Sequence, residues 1–186
     1  QAAKEAGKVL GKGGLVGFPT ETVYGIAANA GDEGAMKRLR GLKDRAKSQP
    51  FSLGIADKSQ VGDYVGVLSW PGVGLVERGW PGPLTLVLRA RPGLPAALTR
   101  DGKIGMRVPG PSPALDLVRA FGGPLTATSA NRTSEPAAVI AEQVRANLGD
   151  EVDAVIDGTA PGGLASTVLD ATTDPPLLLR AGAVEP

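Results

Sequence analysis

Several stretches of this chain set hydroxyls, amides and cations at spacings that suit anion chemistry. Thr20, Glu21 and Thr22 follow directly on the apolar residues 15–18 and Pro19. Ligands of α/β folds sit beyond strand ends, so Thr20 and Thr22 are placed to touch one. The alternative is a helix cap in which either hydroxyl serves backbone N–H groups. Residues 37–47 carry the cations Lys37, Arg38, Arg40, Lys43, Arg45 and Lys47 around one carboxylate, Asp44. A triphosphate needs cations converging on its oxygens, and arginine adds a bidentate fork. Lys43 and Arg45 fall at or past a predicted helix end, in a loop that can aim both at one ligand. Lys37, Arg38 and Arg40 read as a solvated helix face, and an RNA-binding patch is a third reading of the run.

A third segment, Thr126-Ala127-Thr128-Ser129-Ala130-Asn131, places small hydroxylated residues after an apolar strand. Such a turn can form a backbone concavity for phosphate, with Asn131 offering both donor and acceptor. An ordinary Asn/Ser turn has the same composition. Arg107 interrupts an apolar strand, so it must be paired or bind an anion; a salt bridge to Asp or Glu is the plainer outcome. Ser166 ends a glycine-containing loop, and Arg180 ends an apolar run.

The chain has no cysteine and no histidine. Cysteine nucleophiles, disulfides, Ser-His-Asp catalysis and His-based metal sites are therefore excluded. Proton transfer falls to carboxylates, lysine, tyrosine, substrate or water. A net charge of +1 rules out a polycation drawn to nucleic acid as a whole. No Gly-x-x-x-x-Gly-Lys-Ser/Thr run is present, and Gly11-Lys12-Gly13-Gly14 precedes its strand, so neither a Walker loop nor a Rossmann fingerprint is predicted. No acidic cluster has metal-cage spacing, so Mg²⁺ is expected only on bound phosphates. No apolar run reaches membrane-spanning length and the N-terminal stretch has no signal-peptide core; the expected location is the cytoplasm.

The elements that must position these residues follow from periodicity. Helices are predicted over residues 2–12, 32–42 (capped by Asp32), 71–79, 112–121 (Ser112 cap, Pro113 in the first turn) and 138–149. Strands are predicted over residues 15–18, 51–56, 84–88, 104–108, 125–128, 152–156, 166–169 and 177–180. Their interleaving predicts one α/β domain over residues 1–186, with a twisted mixed sheet flanked by helices.

Taken in order, PTETVYGIAANA, LKDR, WPGPLTLVL, MRVP, TSAN, STVLD and LRAGAV give the chain a close resemblance to the YrdC-type family, the L-threonylcarbamoyladenylate synthases of tRNA modification. The resemblance runs from about Leu15 to Val184. It implies a deep, positively charged cavity and a reaction of L-threonine, bicarbonate or CO2 and ATP (with Mg²⁺) to threonylcarbamoyl-AMP and pyrophosphate. A downstream threonylcarbamoyl transferase would take the product, and a tRNA contact is also implied. By the same resemblance Lys43, Arg45, Ser129 and Asn131 are the catalytic candidates. Gln49 and Arg180 join them around ATP, and Thr20, Thr22, Arg107, Ala127 and Ser166 line the threonine and bicarbonate side.

Some positions depart from the family pattern. Ala46 follows Arg45 where proline is frequent, and Gln49 precedes Pro50 where asparagine is. Gly54 replaces a common histidine, and Ala137 replaces a serine. The loss of histidine bears on amino-acid selectivity more than on ATP. Two other functions are weighed against the synthase: a related module adenylating a different carbamoyl group, as in carbamoyltransferases of hydrogenase or antibiotic maturation, and a non-catalytic double-stranded RNA-binding module.

Overall fold

Strand β1 (Val16–Pro19) turns back through residues 20–23 into β2 (Tyr24–Asn29), so that Phe18 lies opposite Gly25. The computed structural model in which these elements are seen describes residues 1–45 and 49–185. Ala46, one of the family departures, and Lys47 of the basic run lie outside the described residues. Strand β2 was not predicted. Residues Tyr24 to Ala28 are buried on both sides of the sheet, so Tyr24-Gly25-Ile26-Ala27-Ala28 shows no polar alternation.

The remaining strands are β3 (Leu53–Gly54), β4 (Leu84–Arg89), β5 (Thr99–Arg100), β6 (Lys103–Arg107), β7 (Leu125–Ser129), β8 (Ala154–Val155), β9 (Thr167–Asp170) and β10 (Leu177–Arg180). Among the described residues all join one sheet in the order β10-β9-β4-β6-β3-β7-β2-β1-β8, with β5 on β6. Pairing is mixed, as expected: β1–β8, β3–β6 and β4–β9 are parallel and the other pairs antiparallel. The predicted strands over 51–56 and 152–156 shrink to two residues each, β3 and β8, flanked by single backbone bonds such as Ile55 N–H to the Arg107 carbonyl at 3.0 Å and Ile156 N–H to the Gly17 carbonyl at 2.8 Å.

The helices are α1 (Ala2–Gly11), α2 (Glu33–Leu42), α3 (Val61–Tyr64), α4 (Trp70–Gly79), α5 (Pro113–Phe121) and α6 (Ala141–Leu148). Asp32 caps α2, its Oδ1 accepting from the Ala35 N–H at 2.9 Å. Ser112 stands at the cap position of α5 but makes no cap bond; its hydroxyl donates to the Gly110 carbonyl at 2.9 Å. Helix α6 starts three residues later than predicted, because residues 138–140 are not helical.

Side chains divide across the sheet with the two-residue period of strands. Ile26, Ala28, Leu53, Leu86, Ile104 and Met106 face the helices α2, α4 and α6 in the larger core. Val16, Phe18, Ala27 and Leu125 face α1 and α5 in a second core, where Ala6, Leu10, Leu117 and Val118 pack. Thr85, Arg107 and Val168 alternate with residues of the larger core, so they point to the α5 side. There, beside Ala114 of α5, they line a cavity instead of packing under a helix.

Candidate active site

The cavity measures about 200 Å³. It is lined by Thr20 and Thr22 from the β1–β2 connection, Arg45, Gly54 of β3, Thr85 of β4, Arg107 of β6, Ala127 and Ser129 of β7, Ser166 before β9 and Arg180 of β10. Eight of the sequence-derived candidates therefore meet at one place: Thr20, Thr22, Arg45, Arg107, Ala127, Ser129, Ser166 and Arg180. Lys43, Gln49 and Asn131 do not line it. Lys43 and Gln49 border a neighbouring concavity with Thr133, and Arg45 lines both.

The β1–β2 connection shows why the threonines belong to a turn. Thr20 Oγ1 donates to the Val23 carbonyl at 2.7 Å and accepts from the Thr22 N–H at 3.1 Å. No helix follows, so the helix-cap alternative gives way to a hairpin closed by a hydroxyl. The two hydroxyl oxygens lie 3.1 Å apart.

Lys43 joins the two segments that the sequence keeps far apart. The residue is only 6% exposed. Nζ donates to the Ser129 carbonyl at 2.9 Å, to the Asn131 carbonyl at 2.7 Å and to Asn131 Oδ1 at 2.7 Å. All three ammonium protons are thereby matched. Ser129 Oγ donates to the same Asn131 Oδ1 at 2.6 Å, and Thr133 Oγ1 donates to the Lys43 carbonyl. The Ser-Ala-Asn turn is thus wrapped around a buried ammonium. Burial, and secondarily Arg45, lower the Lys43 pKa to about 8.

Three guanidinium groups reach the cavity. Arg45 stacks on the buried Phe51 ring, 4.5 Å from its centroid, and donates to the Pro50 carbonyl at 3.1 Å. Burial, then Arg40 and Arg180, hold its pKa below the ordinary arginine value. Arg180 donates through Nε and Nη2 to the Ser166 carbonyl at 3.1 and 2.7 Å, and through Nη2 to Ser166 Oγ at 3.1 Å. Burial, then Arg107, lower its pKa. The C-terminal segment fixes this contact by crossing over residues 165–167. A Cβ on Gly182 would lie 2.3 Å from the Ala165 carbonyl oxygen, so only glycine permits the crossing.

Arg107 takes the plainer outcome that its sequence allowed: it is paired with a carboxylate, Glu21, while also lining the cavity. Glu21 and Thr85 are the site residues that sequence reasoning passed over. Thr85 Oγ1 and Ser166 Oγ lie 2.9 Å apart, both buried. The available signals were a carboxylate between two threonines and a hydroxyl inside the apolar run Leu84-Thr85-Leu86.

Cations, hydroxyls and backbone turns gathered around one cavity are a donor set chemically suited to an anion. Among the described residues no group of three or more His, Cys, Asp or Glu could hold a metal ion.

Comparison with known proteins follows the same lines. The family model Sua5_yciO_yrdC, described as Telomere recombination, matches residues 8–182. The chain is 37% identical over 183 residues to the Threonylcarbamoyl-AMP synthase of Bacillus subtilis (strain 168), covering 97% of this chain and 53% of that protein. It superposes on Pyrococcus abyssi Sua5 complexed with L-threonine with a TM-score of 0.90 at 36% identity, covering 97% of this chain and 54% of that one. It superposes on E. coli YciO with a TM-score of 0.90 at 29% identity, covering 100% of this chain and 92% of that one. The chain spans about half the length of the Bacillus and Pyrococcus relatives. With a family match over nearly its whole length, the chain belongs to the Sua5/YciO/YrdC family.

Proposed function

We propose that the chain is an L-threonylcarbamoyladenylate synthase domain, which joins L-threonine, bicarbonate or CO2 and ATP into threonylcarbamoyl-AMP and pyrophosphate. The observation that carries this reading is the convergence of Arg45, Arg107 and Arg180 on one cavity that also presents Thr20, Thr22, Ser129 and Ser166. The relatives' names and the L-threonine bound to the Pyrococcus protein support it.

In this reading the cavity is the deep, positively charged site of a domain that acts as one unit over residues 1–186. Arg45 and Arg180 take the triphosphate, with Mg²⁺ carried on it, and Gln49 borders the nucleotide end. Lys43 works through Ser129 and Asn131, whose turn its ammonium shapes. Thr20, Thr22, Ala127 and Ser166 flank the amino acid, and Arg107 takes its carboxylate. The amine and CO2 form a carbamate with loss of a proton. A carbamate oxygen then attacks the α-phosphorus, and the bond to pyrophosphate breaks. Such a displacement depends on charge neutralisation and alignment more than on a strong base, which fits a chain without histidine. The product would pass to a threonylcarbamoyl transferase acting on tRNA in the cytoplasm, with a tRNA contact by the chain itself.

The test is pyrophosphate release from Mg-ATP and bicarbonate with and without L-threonine. Threonine-dependent release supports the synthase. Release that ignores threonine or requires carbamoyl phosphate selects the carbamoyl-adenylating alternative, and a protein that binds RNA but no ATP selects the non-catalytic one.

A further inference from the structure

Arg107 is held along one edge. Its Nε donates to the Gly82 carbonyl at 3.0 Å, and its Nη2 donates to Glu21 Oε1. These two groups form the side edge of the guanidinium fork. Nη1 makes no hydrogen bond to a described residue, and the side chain lines the cavity. The Arg107 and Glu21 side chains are 17% and 20% exposed, so the pair is shielded from water on most sides.

Glu21 is itself fixed. Its Oε1 also accepts from the Gly110 N–H at 3.1 Å, and a Cβ on Gly110 would stand 3.4 Å from the Glu21 carboxyl carbon. The second oxygen, Oε2, is buried without a hydrogen-bond partner among the described residues. Leaving a carboxylate oxygen so placed is costly. The hairpin does not need it, because Thr20 closes the turn with its own hydroxyl. The side chain has a different use at this point: its Oε1 is the acceptor that holds Arg107 Nη2.

We propose that Glu21 is a positioning residue: it clamps the side edge of Arg107 so that the end edge, Nη1 with Nη2, faces the cavity and receives the carboxylate of the amino acid. A guanidinium reads a carboxylate through two parallel N–H groups, and the side edge is already taken by Gly82 and Glu21. Without the clamp, Arg107 keeps its charge but loses the direction of its fork. The proposal rests on the reading of Arg107 as the carboxylate site.

The experiment measures KM for L-threonine and for ATP, with melting temperature, in the wild-type chain and in Glu21→Met, Glu21→Asp, Glu21→Gln and Arg107→Ala. Methionine removes the acceptor and aspartate withdraws it by one methylene. Both should raise the threonine KM about tenfold with little change in the ATP KM. Glutamine keeps an acceptor oxygen in place and should stay within about threefold of wild type. A wild-type threonine KM in Glu21→Met or Glu21→Asp, with Arg107→Ala impaired, overturns the clamp and leaves the carboxylate reading standing. Equal losses for both substrates, or glutamine as damaging as methionine, also overturn it. An unimpaired Arg107→Ala sinks the carboxylate reading itself. Should methionine prevent folding, the aspartate and glutamine variants decide the matter alone.

Discussion

Lys43 Nζ lies 2.7 Å from Asn131 Oδ1 and 2.7 Å from the Asn131 carbonyl oxygen, so one buried ammonium grips both the side chain and the backbone of a residue 88 positions away. Removing one member of such a network strands the other, at a cost of about 1–3 kcal/mol. Lys43→Ala and Asn131→Ala should each weaken ATP binding. Their effects should also be non-additive, with a coupling energy of about 1 kcal/mol or more. A double-mutant cycle on ATP affinity checks this; strict additivity would show that the two residues act separately.

The same ammonium sets a pH dependence. Its pKa falls from 10.5 to about 8 on folding. Below about 8 the lysine is charged in both states and its burial penalty is fully present. Between about 8 and 10.5 the unfolded chain binds the proton and the folded chain does not, so stability rises with pH across that window. Denaturant midpoints of the wild type measured against Lys43→Met should therefore shift in favour of the wild type from pH 7 to pH 10. A difference that is flat or moves the other way contradicts the assignment.

Arg45 owes its direction to Phe51, on which it stacks at 4.5 Å, and to the Pro50 carbonyl. Lysine keeps the charge but has neither the plane nor the fork. Arg45→Lys should raise the ATP KM about tenfold and leave the threonine KM near wild type. Steady-state kinetics with each substrate varied in turn distinguishes this from a general loss of activity.

Gly54 pairs with Arg107 across β3 and β6 and lines the cavity. A Cβ there would meet Val118 Cγ2 at 3.6 Å and the Leu125 carbonyl oxygen at 3.7 Å, both ordinary contacts. Gly54→Ala should fold with a stability change under about 1 kcal/mol. Its effect should fall on the threonine KM, since the new methyl grows from the wall beside Arg107. A change confined to the ATP KM would put the amino acid elsewhere.

Much of this arrangement was legible in the sequence, and the exceptions have physical reasons. Helices α1, α2 and α5 show the 3.6-residue stripe because each has one solvated face, and β4 shows as the run Leu84-Thr85-Leu86-Val87-Leu88. Strand β2 was illegible because residues buried on both sides of the sheet leave no polar alternation. Arg45 could be nominated from residue type and setting, whereas Ser129 and Arg180 were weak by type alone and entered through the family resemblance. That Lys43 serves the Ser-Ala-Asn turn could not, since nothing local marks where a buried ammonium finds its acceptors. Glu21 was hidden for the same reason: its partner Arg107 lies 86 residues along the chain and becomes a neighbour only when the β1–β2 hairpin meets the end of β6.

Synthase activity is tested by incubating the chain with Mg-ATP, L-threonine and isotopically labelled bicarbonate and analysing the nucleotide by mass spectrometry. The expected product is threonylcarbamoyl-AMP carrying the labelled carbon, formed in step with pyrophosphate and lost when threonine is omitted or Arg45 is replaced. Pyrophosphate without a labelled threonine-containing adenylate would contradict that activity.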